Sequence, residues 1–236
     1  KNTKKKILIA SHCFLDAPHV YGHEGNIFCD HYEWLNYLYK LSKKTNYDWY
    51  IKNHPSSLPK TNYILNHFLK DKPEFKLIGS NVSHTQLIDE GINCILTVHG
   101  TIGWEYAYHE IPVINASVNN PHSSYNFNLH AKSLKEYEEM ILNFEKYEIN
   151  YDKKNIYEFY FMNNLYSKST VIFQNYIKVL KEIKGYNNLG TQKFYNYWID
   201  KHTFERDIKI KTRLKKFLDS DEYYMKNFNL LSEINN

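Results

Sequence analysis

Two stretches of this chain place histidine, glycine, threonine and glutamate in spacings that suit an anionic ligand. Residues 93–117 read NCILTVHGTIGWEYAYHEIPVINAS. An apolar run ends at Val98, His99-Gly100-Thr101 follows, then a helical pattern, then a second apolar run at Pro112-Val113-Ile114. That order is strand, tight turn, helix and strand, the parts of a βαβ unit. Gly100 lets a phosphate come close to the backbone. Thr101 is expected to cap the helix and offer its hydroxyl, and the N–H groups of the first turn favour an anion. Glu105 lies one helical turn on, on the same face as Thr101, where a carboxylate accepts the two hydroxyls of a ribose. A plainer reading stands beside this one. Gly-Thr also makes an ordinary turn, and a Glu in a first turn complements the helix dipole.

The second stretch, residues 49–57, reads WYIKNHPSS. Pro55 restricts His54 to extended conformations and stops the strand, so Lys52 and His54 fall at a strand end. A parallel α/β sheet binds its ligands at that edge. Between the first strand and the first helix lies a loop, SHCFLDAPHVYGHEGNIFC, too long for a mere connection. It carries His12, Asp16, His19, His23, Glu24 and Asn26, and Gly22 and Gly25 permit close backbone approach. His19 and His23 have an HxxxH spacing, which raises a metal site as the competing reading. Pro18, Gly22 and Gly25 argue against the helix that would put both imidazoles on one face, so no metal is expected. In IGSNVSHTQL, Ser80, Asn81 and Ser83 read first as caps for the next helix.

KNHP followed by TVHGTIGWEYAYHEIPVI resembles the carboxyl-terminal half of GT-B glycosyltransferases, closest to the capsule-polysaccharide-synthesis group and its relatives with CMP- or CDP-activated donors. The resemblance covers roughly residues 6–118, with less specific helical segments up to about 184. It implies a donor-binding site that includes Lys52, His54, Ser80, Ser83, His99, Gly100, Thr101 and Glu105. The long loop, facing the cleft, brings His23 and Asn26 to the donor, with His54, Asp16 and Glu24 as the catalytic candidates. Relatives often have two hydroxyl residues where this chain has Gly100-Thr101, so a CMP-, CDP- or UDP-linked donor stays open. The resemblance further implies a glycan acceptor, lipid-linked in some relatives, no resident cofactor, and a second, amino-terminal GT-B domain or partner subunit. A transferase moving a glycerol phosphate-like group from a CDP carrier, and a non-catalytic interaction module of the same fold, are the alternatives.

The surrounding elements must place these residues on one edge. Strands are expected at 6–11, 49–52, 75–78 and on both sides of the 99–108 turn and helix. Helices are expected at 31–44, 62–69, 85–90 and 134–145, the first with Tyr32, Leu35, Leu38, Tyr39 and Leu41 on its apolar face and the last capped by Ser133. Five strands with interleaved helices predict a Rossmann-like, doubly wound parallel sheet over residues 1–150. A helical extension that would brace a partner domain is expected over 151–236.

The chain has 236 residues, 42% of them hydrophobic, enough for a sizeable core. No apolar run reaches the roughly 18–20 residues of a membrane span. The start, KNTKKKILIAS, has no initiating Met and reads as a fragment entering a strand directly, not as a signal peptide. Three cysteines without a CxxC pair fit a reducing cytoplasm. The net charge of +4 is uneven: residues 201–216 hold seven Lys/Arg against two acids. That run is either a solvated helix face or a patch drawn to an anionic inner leaflet, at about 1 kcal/mol per basic residue. Nucleic acid is not expected, because the aromatics follow core spacing and do not interleave with the basic residues.

Overall fold

The computed structural model describes residues 4–14, 26–54, 59–79, 81–166, 176–185, 188, 190–201 and 204–222. The chain forms two compact units, Lys1–Phe159 and Tyr160–Asn236. In the first, strands and helices alternate: β1 (Lys5–Ala10), α1 (His31–Ser42), β2 (Tyr47–Lys52), α2 (Pro59–Leu69), β3 (Phe75–Ile78), α3 (His84–Asp89), β4 (Cys94–Thr97), α4 (Ile102–Tyr108) and β5 (Val113–Asn115). β6 (Leu129–His130), α5 (Leu134–Asn143) and α6 (Lys153–Tyr160) follow.

The six strands pair in parallel in the order β3-β2-β1-β4-β5-β6. This is the Rossmann-like order, in which the chain winds outward from β1 to one side, returns beside it as β4, and winds the other way. Ile7, Leu8 and Ile9 of β1 are wholly buried, as a central strand covered on both faces requires. Ile7 and Ile9 pack with Trp34, Leu38 and Trp49 on one face, and Leu8 with Ile95, Tyr106 and Val113 on the other. Each fully buried aliphatic side chain contributes about 1.5–3 kcal/mol.

Local signals set the helix starts. Asp30 caps α1 by accepting from Glu33 N at 2.7 Å, and Glu33 Oε2 accepts from Cys29 N at 2.7 Å. The buried face of α1 includes Trp34, with Leu35, Leu38 and Leu41, while Tyr32 is exposed, a shift from the expected face. Trp34 Nε1 donates to Tyr137 Oη of α5 at 2.8 Å, so the indole reaches a partner that its position makes available only in the fold. Ser133 caps α5 as expected, accepting from Glu136 N at 3.2 Å.

The sheet has one strand more than the sequence pattern predicts. β6 is two residues long, too short to carry an alternation, and pairs Leu129 with Ile114 and His130 with Asn115. α6 belongs to the first unit through Ile156 and Phe159, which pack on Ala107 and Phe127.

The second unit contains a π-helical turn at Phe161–Tyr166, α7 (Tyr176–Glu182), α8 (Gln192–Lys201) and α9 (Phe204–Leu218), with no strand among its described residues. Val179, Leu180 and Ile183 form its core with Phe194, Tyr197 and Trp198. Among the described residues no helix is long and apolar enough to cross a membrane.

Candidate functional site

The register of the sheet brings three strand ends together. Ala10 pairs with Lys52 and Ile9 with Leu96, and Ser11 N donates to Lys52 O at 3.0 Å, extending the β1–β2 ladder. At this edge, between β1 and β4, the winding reverses, which is where open α/β sheets bind ligands. A cavity of about 480 Å³ opens there. The end of β1 contributes Ser11, His12 and Cys13, and the end of β2 contributes Lys52, Asn53 and His54. The end of β4 adds Thr97, His99, Gly100 and Thr101, while His31, His84 and Glu105 enter from α1, α3 and α4.

Imidazoles dominate its wall. His12 stacks against both His31 and His99, its ring centroid 4.5 Å from the first and 4.6 Å from the second, and the three rings form a triangle with His31 and His99 6.1 Å apart. Val98 N donates to His12 Nε2 at 3.2 Å, so this nitrogen carries no proton and His12 is the neutral Nδ1–H tautomer. The Thr97 hydroxyl lies 3.0 Å from the same nitrogen and 3.0 Å from His99 O, and can donate to either. Burial lowers the His12 pKa well below the ordinary value, and His31, His99 and His54 push it the same way. Among the described residues no group of three or more His, Cys, Asp or Glu is placed to hold a metal ion.

The other wall is built on α3 and α4. His84 Nδ1 lies 3.0 Å from the hydroxyl of the buried Tyr106. Burial lowers the His84 pKa, Glu105 opposes that and Lys52 adds to it, so the three groups share one electrostatic neighbourhood. Lys52 is 6% exposed, and burial lowers its pKa too. Among the described residues, the wall thus offers one ammonium and five imidazoles against one carboxylate, that of Glu105. Neutral imidazoles donate N–H groups, so the arrangement can bind an anion by hydrogen bonds as well as by charge.

The expected residues Lys52, His54, His99, Gly100, Thr101 and Glu105 all line this cavity. Gly100 sits at φ +122°, a conformation that favours glycine. Thr101 differs from expectation: it is αR and makes no capping hydrogen bond, because the chain turns into α4 directly from Gly100. Two expected residues lie elsewhere. Ser83 is committed to a capping box with Gln86, its hydroxyl accepting from Gln86 N at 3.1 Å and its own N–H donating to Gln86 Oε1 at 2.8 Å. Asn26 forms an antiparallel bridge with Ser117 beyond β5. Asp16, His23, Glu24 and Ser80, like His19, fall outside the described residues.

His31 and His84 belong to the cavity yet were not singled out in the sequence. Each is the first residue of its helix, directly after a capping Asp30 or Ser83. A histidine just inside a capped helix start, in a chain whose strand ends also carry histidines, is the signal that marks them. No protein-family model matches the chain, and no curated protein matches it either.

Proposed function

We propose that the chain is the donor-binding half of a GT-B-type glycosyltransferase that transfers a sugar from a nucleotide-activated donor to a growing bacterial capsular or surface polysaccharide. One observation carries the reading: residues of both sequence motifs, Lys52, Asn53 and His54 of the first and His99, Gly100, Thr101 and Glu105 of the second, line a single cavity at the switch point of a Rossmann-like sheet. Lys52, His54 and His12 with its neighbouring imidazoles then take the phosphate of a CMP-linked donor or the diphosphate of a CDP- or UDP-linked one, and Glu105 takes the ribose hydroxyls. His54 is the residue nearest in role to a general acid or a leaving-group stabiliser. The activated donor is a substrate, and no resident cofactor enters this scheme. The acceptor is a glycan, and a second GT-B domain or a partner subunit completes the cleft. Such an enzyme works in the cytoplasm at the inner face of the membrane, where the basic 201–216 run meets anionic headgroups.

The test is thermal stability with CMP, CDP, UDP and GDP. A nucleotide at 100 times its Kd adds about 2.7 kcal/mol to folding. A shift with one of these nucleotides is expected, and no shift with any of them contradicts the reading. Sugar transfer by residues 1–236 alone is not expected, because GT-B chemistry takes place between two domains.

A further inference from the structure

Against the Gly100–Thr101 turn, and not among the residues that line the cavity, lies a buried polar pair, His122 and Asn128. His122 is 1% exposed, and its Nε2 lies 3.1 Å from Gly100 O. Its Nδ1 lies 3.2 Å from Asn128 Nδ2, an amide nitrogen that can only donate. Nδ1 is therefore the acceptor, the ring proton sits on Nε2, and Nε2 donates to the Gly100 carbonyl. The opposite amide orientation would leave a lone pair of Nε2 facing that carbonyl, so the two contacts fix each other.

We propose that His122, held by Asn128, is a positioning residue of the site: it locks the Gly100–Thr101 peptide with its carbonyl turned into the domain and its N–H turned toward the cavity. The two groups of a trans peptide point in opposite directions, so fixing one aims the other. Gly100 and Thr101 line the cavity, and His122 does not. Glycine at φ +122° gives the turn little preference of its own between peptide orientations, so an external contact has to choose. A carbonyl swung into the cavity would present a partial negative charge to an anionic ligand, whereas the N–H presents a donor. His122 thereby sets the sign of this part of the wall, which rests on the proposed reading of the cavity as a phosphate site.

The packing leaves room for nothing else. A Cβ on Gly103 would stand 2.4 Å from His122 Nε2 and 2.7 Å from Asn128 Nδ2, so α4 can approach the pair only at a glycine. Phe127 and Phe159 close on the imidazole with ring centroids at 5.6 Å and 5.5 Å. Gly103 N also donates to Gly100 O, at 3.3 Å, so the carbonyl accepts from the helix start and from the imidazole together. Asn128 Oδ1 is buried without a hydrogen-bond partner among the described residues, a cost that goes with the orientation of the amide. Burial holds the imidazole neutral, with its pKa lowered to about 4, so the donor stays in one tautomer through the neutral range.

Titration calorimetry on the full chain with CDP and with pyrophosphate tests the proposal, comparing wild type, His122→Gln and His122→Leu. Glutamine keeps a donor for Gly100 O and an acceptor for Asn128, and leucine keeps bulk alone. Binding about tenfold weaker in H122L and within threefold of wild type in H122Q is expected. Equal affinity in all three, or equal loss in both variants, overturns it. If the wild type binds neither probe, the phosphate reading falls, but the positioning claim is still decided by nitrogen NMR without ligand. His122 is expected to show Nε2 protonated and Nδ1 unprotonated between pH 5.5 and 8, and Gly103 amide exchange is expected to be about tenfold faster in H122L than in H122Q. An Nδ1–H tautomer, or identical exchange, overturns the claim. The imidazole spectrum is read on the wild-type chain, so it decides even where H122L does not fold.

Discussion

His12 and His99 stack with ring centroids 4.6 Å apart across the seam between β1 and β4, the two strands at which the winding of the sheet reverses. Each follows a strand end, so their contact is a direct product of sheet order and is independent of any loop folded over the site. Neighbouring imidazoles resist being charged together, and Val98 N already occupies the nitrogen through which His12 would take a second proton.

The pH dependence of stability follows from these rings. His12 and His122 both have folded-state pKa values below the unfolded value near 6.5, His122 at about 4. Between the two values the unfolded chain binds more protons, so stability rises with pH in that window. The contribution is fully present above about pH 6.5 and is lost as pH falls, by about 3 kcal/mol for His122 alone at 1.36 kcal/mol per unit. Urea unfolding at a series of pH values from 7 to 4 should show this loss, and a shallower one in H122Q, whose amide does not titrate. Equal slopes in the two proteins would contradict it.

Glu105 gives a direct reading of the ribose. Glu105→Ala should weaken nucleotide binding by about 1.5–3 kcal/mol, the range for hydrogen bonds to a charged group, or about ten- to a hundredfold in Kd. A 2′,3′-dideoxynucleotide should bind the wild type more weakly and be indifferent to the substitution. Calorimetry with both ligands on both proteins closes the cycle. Equal weakening of both ligands means that the carboxylate does not read the ribose.

Gly103→Ala should cost about 1–3 kcal/mol of stability, as overpacking of a buried site does. The new methyl group would meet the His122 ring at 2.4 and 2.5 Å and Asn128 at 2.7 Å, and neither side chain has open space to retreat into. Chemical denaturation measures it, and an unchanged midpoint would show that the ring moves freely.

Tyr137→Phe should cost about 1–3 kcal/mol, because it leaves the wholly buried Trp34 Nε1–H without its acceptor. Denaturant unfolding of this variant reads the loss, and a change within about 0.5 kcal/mol would mean that the indole finds another partner.

The parallel sheet was legible because its strands are short apolar runs ending in turn residues, as at Val98-His99-Gly100 and Lys52-Asn53-His54. The same strand ends delivered five of the cavity residues, Lys52, His54, His99, Gly100 and Thr101, and the helix after β4 delivered Glu105. β6 was not legible, since a two-residue strand has no period. The His122–Asn128 pair was not legible either. Its meaning lies in a contact with Gly100, twenty-two residues earlier, that only the packing of α4 against the segment after β5 creates. Trp34 displaced Tyr32 on the buried face of α1 for a similar reason: its indole found Tyr137, a partner over a hundred positions away in the chain.

A crystal structure of the chain soaked with CDP tests the central claim most directly. The account predicts the diphosphate at the switch-point cavity, with His54 and Lys52 within hydrogen-bond or single-water reach of its oxygens and Glu105 on the ribose. A nucleotide bound elsewhere, or a diphosphate more than about 6 Å from His54, beyond even a water-bridged contact, would contradict it.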